Sequence, residues 1–237
     1  MRAWHKLTIA LVILAGLFVA ADRIAVGVAD DKVAEKIQSE KGLNTRPKVS
    51  IEGFPFLTQV AAKKLDDVRL SADGLQISGG GKTATLQTFS ARISGVRVNS
   101  SFSSATADSA DGTALISYAD ITSLIGNKDA AISYGGNGKI KISGKVDTPL
   151  GQVDGSATAR LAVQGGDTVT VGDVSVSALG SGIDLGSIPG LDTAFSSLFA
   201  TSQKLSGLPV GLSVKSVDPQ PNGVAIGFTG HNLDLAG

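Results

Sequence analysis

The residues able to do acid–base or nucleophilic chemistry are few. Of two histidines, His5 precedes an N-terminal apolar run, which leaves His231 as the one imidazole of the remaining chain. Cysteine is absent, so thiol nucleophiles, disulfides, Cys-ligated zinc and lipidation of an N-terminal cysteine are excluded. No Gly-x-Ser-x-Gly elbow occurs that would set a serine on a strained turn beside a base. SGGGKTAT (78–85) imitates a phosphate loop, but Gln76 stands where that loop needs its first glycine. GSGIDLG (180–186) fails as a dinucleotide fingerprint, because Leu185 replaces the third glycine. Asp66–Asp67 and Asp108…Asp111 lack the spacing of a metal loop. The expectation is therefore no catalytic residue, no metal and no cofactor.

One stretch stands out for a different chemistry. EGFPFLTQ (52–59) groups Phe54, Pro55, Phe56 and Leu57 in a chain with only 5% aromatic residues. Such a group either plugs a core or forms the lip of an apolar groove. Pro55 cannot donate to a ladder, so it should end or bulge the strand around Val49 and leave the two rings at a sheet edge.

The elements that must position this stretch are legible in the periodicity. Arg2 and Lys6 precede a 15-residue apolar run, Leu7 to Ala21. As a helix the run spans about 22 Å, short of the roughly 30 Å hydrocarbon core, and small residues end it. Residues 1–21 thus read as an export signal or an N-terminal membrane anchor, with residues 22–237 forming a single domain outside the membrane. From Asp22 to Lys41, Val26, Ala29, Val33 and Ile37 make one helical stripe; Asp30, Asp31 and Lys32 read as lying off it, and Gly42 stops the helix.

Beyond Gly42 the chain alternates largely with period two. LDDVRLSADGLQIS (65–78), TLQTFSARISGVRV (85–98), GKIKISGKV (138–146), SATARLAVQ, DTVTVGDVSVSAL, PVGLSVKSV and GVAIGFTG all read as strands. Turn chemistry separates them at Gly79–Gly81, Gly135–Gly138, Gly165–Asp167 and Asn222-Gly223. Strands this close together must be mostly antiparallel. Helices are expected at Tyr118–Ile125 and at Leu191–Leu205, the latter with Phe195, Leu198 and Phe199 on one face. The fold class is α+β: a long twisted antiparallel sheet wrapped around amphipathic helices.

Charge narrows the partners. With 21 basic and 21 acidic side chains the protein is formally neutral, and without residues 1–21 it carries 19 against 21. Nucleic acid needs a concentrated basic footprint and is excluded.

In these residues the chain resembles the LmeA family of actinobacterial, cell-envelope phospholipid-binding proteins. The carrying features are the apolar N-terminus ending in AADR, the helix VAEKIQSEKGL, VSIEGFPFLTQV and LDDVRLSADGL. GTALISYADI, DGSATARLAV and LSGLPVGLSVKSVDPQPNGVAIGFTGHNL come after them in order. The chain departs from the pattern in VAAKKLDDV, where a glycine is expected, and in a 99–112 segment rich in Ser, Ala and Asp that is expected to lengthen a loop. The resemblance implies a non-enzymatic exported protein that binds phospholipid, of phosphatidylinositol type, at a membrane surface and supports maturation of envelope lipoglycans. It also implies a fold similar to tubular lipid-binding domains. The lipid site is then expected at Phe54, Pro55, Phe56 and Leu57, with Phe195, Leu198 and Phe199 as a second wall. Lys63, Lys64 and Arg69 are placed to meet a phosphate or to solvate a strand edge. The competing reading is an envelope scaffold with a filled core and no lipid ligand.

Overall fold

A computed structural model describes residues 2–79, 82–100, 104–125, 130–148, 151–178, 202–204 and 210–235. The Leu191–Leu205 helix expected from the sequence lies outside these residues except at Ser202–Lys204, which form a short strand and not a helix; the glycines of 180–186 lie wholly outside them.

The chain opens with one uninterrupted helix, α1 (Arg2–Lys41), about 60 Å long at 1.5 Å per residue. Its first half is apolar and exposed, including Leu11, Leu14, Leu17 and Phe18, and the helix from Trp4 to Lys41 is by length and composition long and apolar enough to cross a membrane. Its second half packs on the body through Val26 and Ala34, with Ala29, Val33 and Ile37 partly buried beside them. The helix stops as its sequence dictates. Gly42 adopts φ +61°, and Leu43 N–H donates to the Gln38 carbonyl at 2.9 Å, closing a Schellman-type end.

The α+β class and the antiparallel pairing are as expected, with the strands shared between two sheets. The first has six strands: β1 (Lys48–Glu52), β2 (Lys64–Gly79), β3 (Lys82–Val98), β4 (Ala105–Ile116), β10 (Leu212–Gln220) and β11 (Gly223–Asp234), in the order β1-β2-β3-β4-β11-β10. The second contains β5 (Ala130–Gly136), β6 (Lys139–Thr148), β7 (Gly151–Gln164), β8 (Thr168–Ala178) and the short β9 (Ser202–Lys204), in sequence order. Between β1 and β2 lies α2 (Phe56–Ala61), and between β4 and β5 lies α3 (Tyr118–Ile125).

The hairpins sit where turn residues put them. Asn137 and Gly138 take φ +49° and +68° between β5 and β6, the geometry of a type I′ turn. Gln220 pairs with Gly223 across Pro221 and Asn222. Pro219 is tolerated in β10 because that strand is an edge. Ser117 caps α3 by accepting from Asp120 N–H at 3.0 Å.

The 99–112 segment corrects its expectation. Most of it is not loop but β4, paired with β3 on one side and β11 on the other. Its buried residues are Ala107, Ala110, Ala114 and Ile116, so the period-two phase shifts between Ala107 and Ala110 and the alanines give little hydrophobic contrast. The same muted contrast hides β5, where Ile132 is the one deeply buried side chain.

Two cores result. One lies between the sheets and joins Leu75, Leu86, Ile116 and Val224 to Ile132, Ile140 and Ile142, with Ile121 and Leu124 of α3 against it. The other lies under α1 and α2 and joins Val26 and Phe56 to Val49, Ile51, Val68, Val96 and Leu233.

At the end of the first sheet nearest α2, Gly95 adopts φ +65° within β3, and a Cβ there would lie 2.9 Å from that of Asp108. A side chain meets both a left-handed backbone and a filled neighbour. Gly95→Ala is expected to cost about 1–3 kcal/mol, read as a lowered urea midpoint with an unchanged m-value.

Candidate functional site

The EGFPFLTQ stretch is where α1, the first sheet and α2 meet. β1 ends at Glu52, Gly53 turns the chain at φ +98°, and a cis Phe54–Pro55 bond leads into α2. The strand has already ended three residues before Pro55, at the Gly53 turn, and Pro55 stands instead as the residue before the first turn of α2. The two rings then part company. Phe54 is 58% exposed, whereas Phe56 is 5% exposed and belongs to the core beneath α1. Leu57 is partly buried against the same core. The structure therefore sets one ring of the expected lip outside and the other within.

Gln59 holds this arrangement. It is buried, donates from Nε2 to the Glu52 carbonyl at 3.3 Å and accepts from Asp66 N–H at 2.9 Å. A Cβ on Gly53 would stand 2.5 Å from that amide nitrogen, so glycine is required there. Thr58 Oγ1 closes the first turn onto the Pro55 carbonyl at 2.8 Å.

Two carboxylates of α1 complete the junction. Asp22, fully buried, accepts from Leu57 N–H at 2.8 Å and so supplies the cap that Pro55 cannot give α2. Arg23 pairs with the other Asp22 oxygen at 2.5 Å, and its guanidinium lies 5.2 Å from the centre of the Phe54 ring. One turn further from Val26, Asp30 accepts from Ile51 N–H at 2.8 Å, on the open edge of β1. Asp30 thus faces the sheet, not solvent as its polarity indicates. Asp22 and Asp30 stand four residues either side of buried Val26, a spacing that identifies them as members of the packed stripe.

Their environments push them in opposite directions. Burial works against the Asp22 anion, but Arg23 and the backbone N–H groups of Leu57 and Phe56 outweigh it and hold its pKa below the ordinary aspartate value. Burial dominates at Asp30, with Asp31 and Glu52 adding repulsion, and the Ile51 N–H does not compensate; its pKa is raised.

The other candidates scatter. Lys63 donates from Nζ to Ser100 Oγ at 2.9 Å, and Lys64 opens β2 with its side chain exposed. Arg69 lies on the opposite face of the first sheet from Val68, paired with Glu52 at 3.6 Å. His231 is exposed on β11, and no group of His, Cys, Asp or Glu among the described residues could hold a metal. Phe195, Leu198 and Phe199 lie outside the described residues.

Phe56→Ser is expected to destabilise the protein by about 3–5 kcal/mol, whereas Phe54→Ser shifts stability by no more than about 0.5 kcal/mol. Urea titrations of the two variants check this. The carboxylates predict opposite acid behaviour. A lowered folded pKa gives Asp22 a stabilising contribution above the unfolded value of about 3.9, lost as pH falls through the folded value. Asp22→Asn should flatten the acid limb of the stability–pH curve. Asp30, with a raised folded pKa, disfavours folding once ionised, so Asp30→Asn should stabilise at neutral pH while its amide oxygen still accepts from Ile51.

Comparison with known proteins sets this junction in context. Among curated proteins and among solved structures nothing matches the chain. A family model described as LmeA-like phospholipid-binding matches residues 20–229, a span that runs from the last residues of the apolar run into β11 and includes every residue of the junction. The chain belongs to the LmeA-like phospholipid-binding family.

Proposed function

We infer that this is a non-enzymatic exported protein that takes up phospholipid at the outer surface of the cytoplasmic membrane. The observation that carries this reading is the bond from Leu57 N–H to Asp22. It ties the GFPFL turn to the first helical turn after the apolar run of α1. With that run held in the membrane, Phe54 and Leu57 come level with the bilayer surface. The outward face of α1 supports the same orientation, since Ile24 and Val28 continue its exposed apolar stripe at 70% and 51% exposure.

An acyl chain then enters at Phe54 and Leu57 and runs along the apolar seam between α1, α2 and the first sheet, with Phe56 behind the mouth. Phe195, Leu198 and Phe199 serve as the second wall, a part of the proposal that rests on sequence alone. Each buried methylene contributes about 0.8 kcal/mol, so part of one chain suffices to hold a lipid without a charged anchor. Binding of phosphatidylinositol-type lipid, lipid transport and a part in lipoglycan maturation in the envelope are the finer content of this reading.

The full chain, purified in mild detergent, is expected to carry phospholipid identifiable by mass spectrometry and to extract labelled phospholipid from vesicles. Phe54→Ser should lower uptake severalfold at unchanged thermal stability. A protein that is lipid-free and ignores vesicles would leave the scaffold with a filled core as the function.

A further inference from the structure

The first sheet has a second face, turned away from α1, and that face is a trough. A hollow of about 720 Å³ is lined from both edges of the sheet, by Lys48 of β1 and by Lys215 of β10. Six strands laid flat would hold these edges roughly 24 Å apart at 4.8 Å per strand. That they line one hollow shows the sheet curling around it.

The register assigns the floor. One row across the sheet reads Lys48, Ser71, Ser90, Thr113, Gly227, Ser216. The next reads Ser50, Arg69, Arg92, Asp111. Inward of Lys48 the first row carries only serine, threonine and glycine side chains. Gly227 keeps the hollow open, since a Cβ there would stand 2.7 Å from Ser216 Oγ. Ser90 and Thr113 bond to each other through their hydroxyls at 2.9 Å.

Charge here departs from the neutral average of the chain. Four cations, Lys48, Arg69, Arg92 and Lys215, line the trough against the two carboxylates of Glu52 and Asp111. Arg69 and Arg92 face each other directly across β2 and β3, an arrangement that destabilises a sheet by itself. They are held by Glu52 and by Asp67 respectively. Lys48 and Lys215 are exposed, and among the described residues neither has an ion pair. Lys215 is moreover the extra residue of a β-bulge between Val214 and Ser216. Bulges redirect side chains, and this one brings Lys215 to the trough beside Ser216.

We propose that the trough is a binding site for a sugar or polyol phosphate, distinct from the apolar junction under α1. The surplus cations meet the phosphate, with Lys48 and Lys215 closing on it from opposite rims. The serine and threonine hydroxyls and the Asp111 carboxylate meet the hydroxyls of the ligand. Leu70, Ala91 and Phe228 also line the trough and offer an apolar surface to the ring carbons of a sugar. The volume suits a ligand of sugar-phosphate size.

The test titrates the full chain in detergent with glucose 1-phosphate, glucose and inorganic phosphate, monitored by calorimetry. Saturable binding of glucose 1-phosphate at about 1 mM or tighter is expected, weakening as salt is added. The double variant Lys48→Gln/Lys215→Gln should bind at least tenfold more weakly, while Lys139→Gln/Lys145→Gln on the second sheet leaves binding unchanged. Absence of saturable binding overturns the proposal, as does equal loss in both variants. Inorganic phosphate binding as tightly as glucose 1-phosphate overturns its sugar component. Phospholipid uptake by the trough variant should equal that of the wild type, so this result and the fate of the lipid reading are read separately.

Discussion

A carboxylate cannot be left uncompensated inside a protein, and the arrangement around buried Asp22 is a consequence of that constraint. Asp22 sits where the apolar run of α1 gives way to the amphipathic half. Its compensation comes from Arg23 beside it and from the N-terminus of α2. Satisfying the charge fixes α2 against α1, and α2 carries Phe56 into the core and leaves Phe54 outside. Two turns on, Asp30 makes a second contact to the sheet, accepting from Ile51 N–H, and the helix covers the open edge of β1 in place of another strand.

From this junction the two faces of the first sheet acquire different characters. Beneath α1 and α2 the strands present Val49, Ile51, Val68 and Val96, a greasy surface sealed by the helix. The reverse face presents hydroxyls and charges in register rows. Period-two alternation alone produces that division. Curvature makes the polar face a hollow as well as a wet surface.

Much of the fold was legible wherever local chemistry is decisive. The stripe of Val26, Ala29, Val33 and Ile37, the stop at Gly42 and the Asn-Gly hairpins each act through a few neighbouring residues. β4 and β5 were harder to read because alanines face the core, and alanine barely differs from serine in a hydropathy pattern. Asp30 was misread for a related reason: a charged residue looks like a solvent residue until the backbone N–H it meets is known. The candidate site was legible as a motif, but the parting of Phe54 from Phe56 was not.

Sequence by itself determined the class of the protein: an apolar N-terminal run, an amphipathic helix, antiparallel strands, a poverty of catalytic groups and a family motif. These are properties of composition and spacing between near neighbours. Tertiary structure decided which ring of the motif is buried, which strands share a sheet, and that Lys48 and Lys215, far apart in the chain, border one hollow. Those outcomes depend on pairings between distant parts of the chain, such as Asp22 with Leu57 and the two edges of one curled sheet. No local pattern encodes such distances, because the curvature that brings the edges together arises only when all six strands are paired.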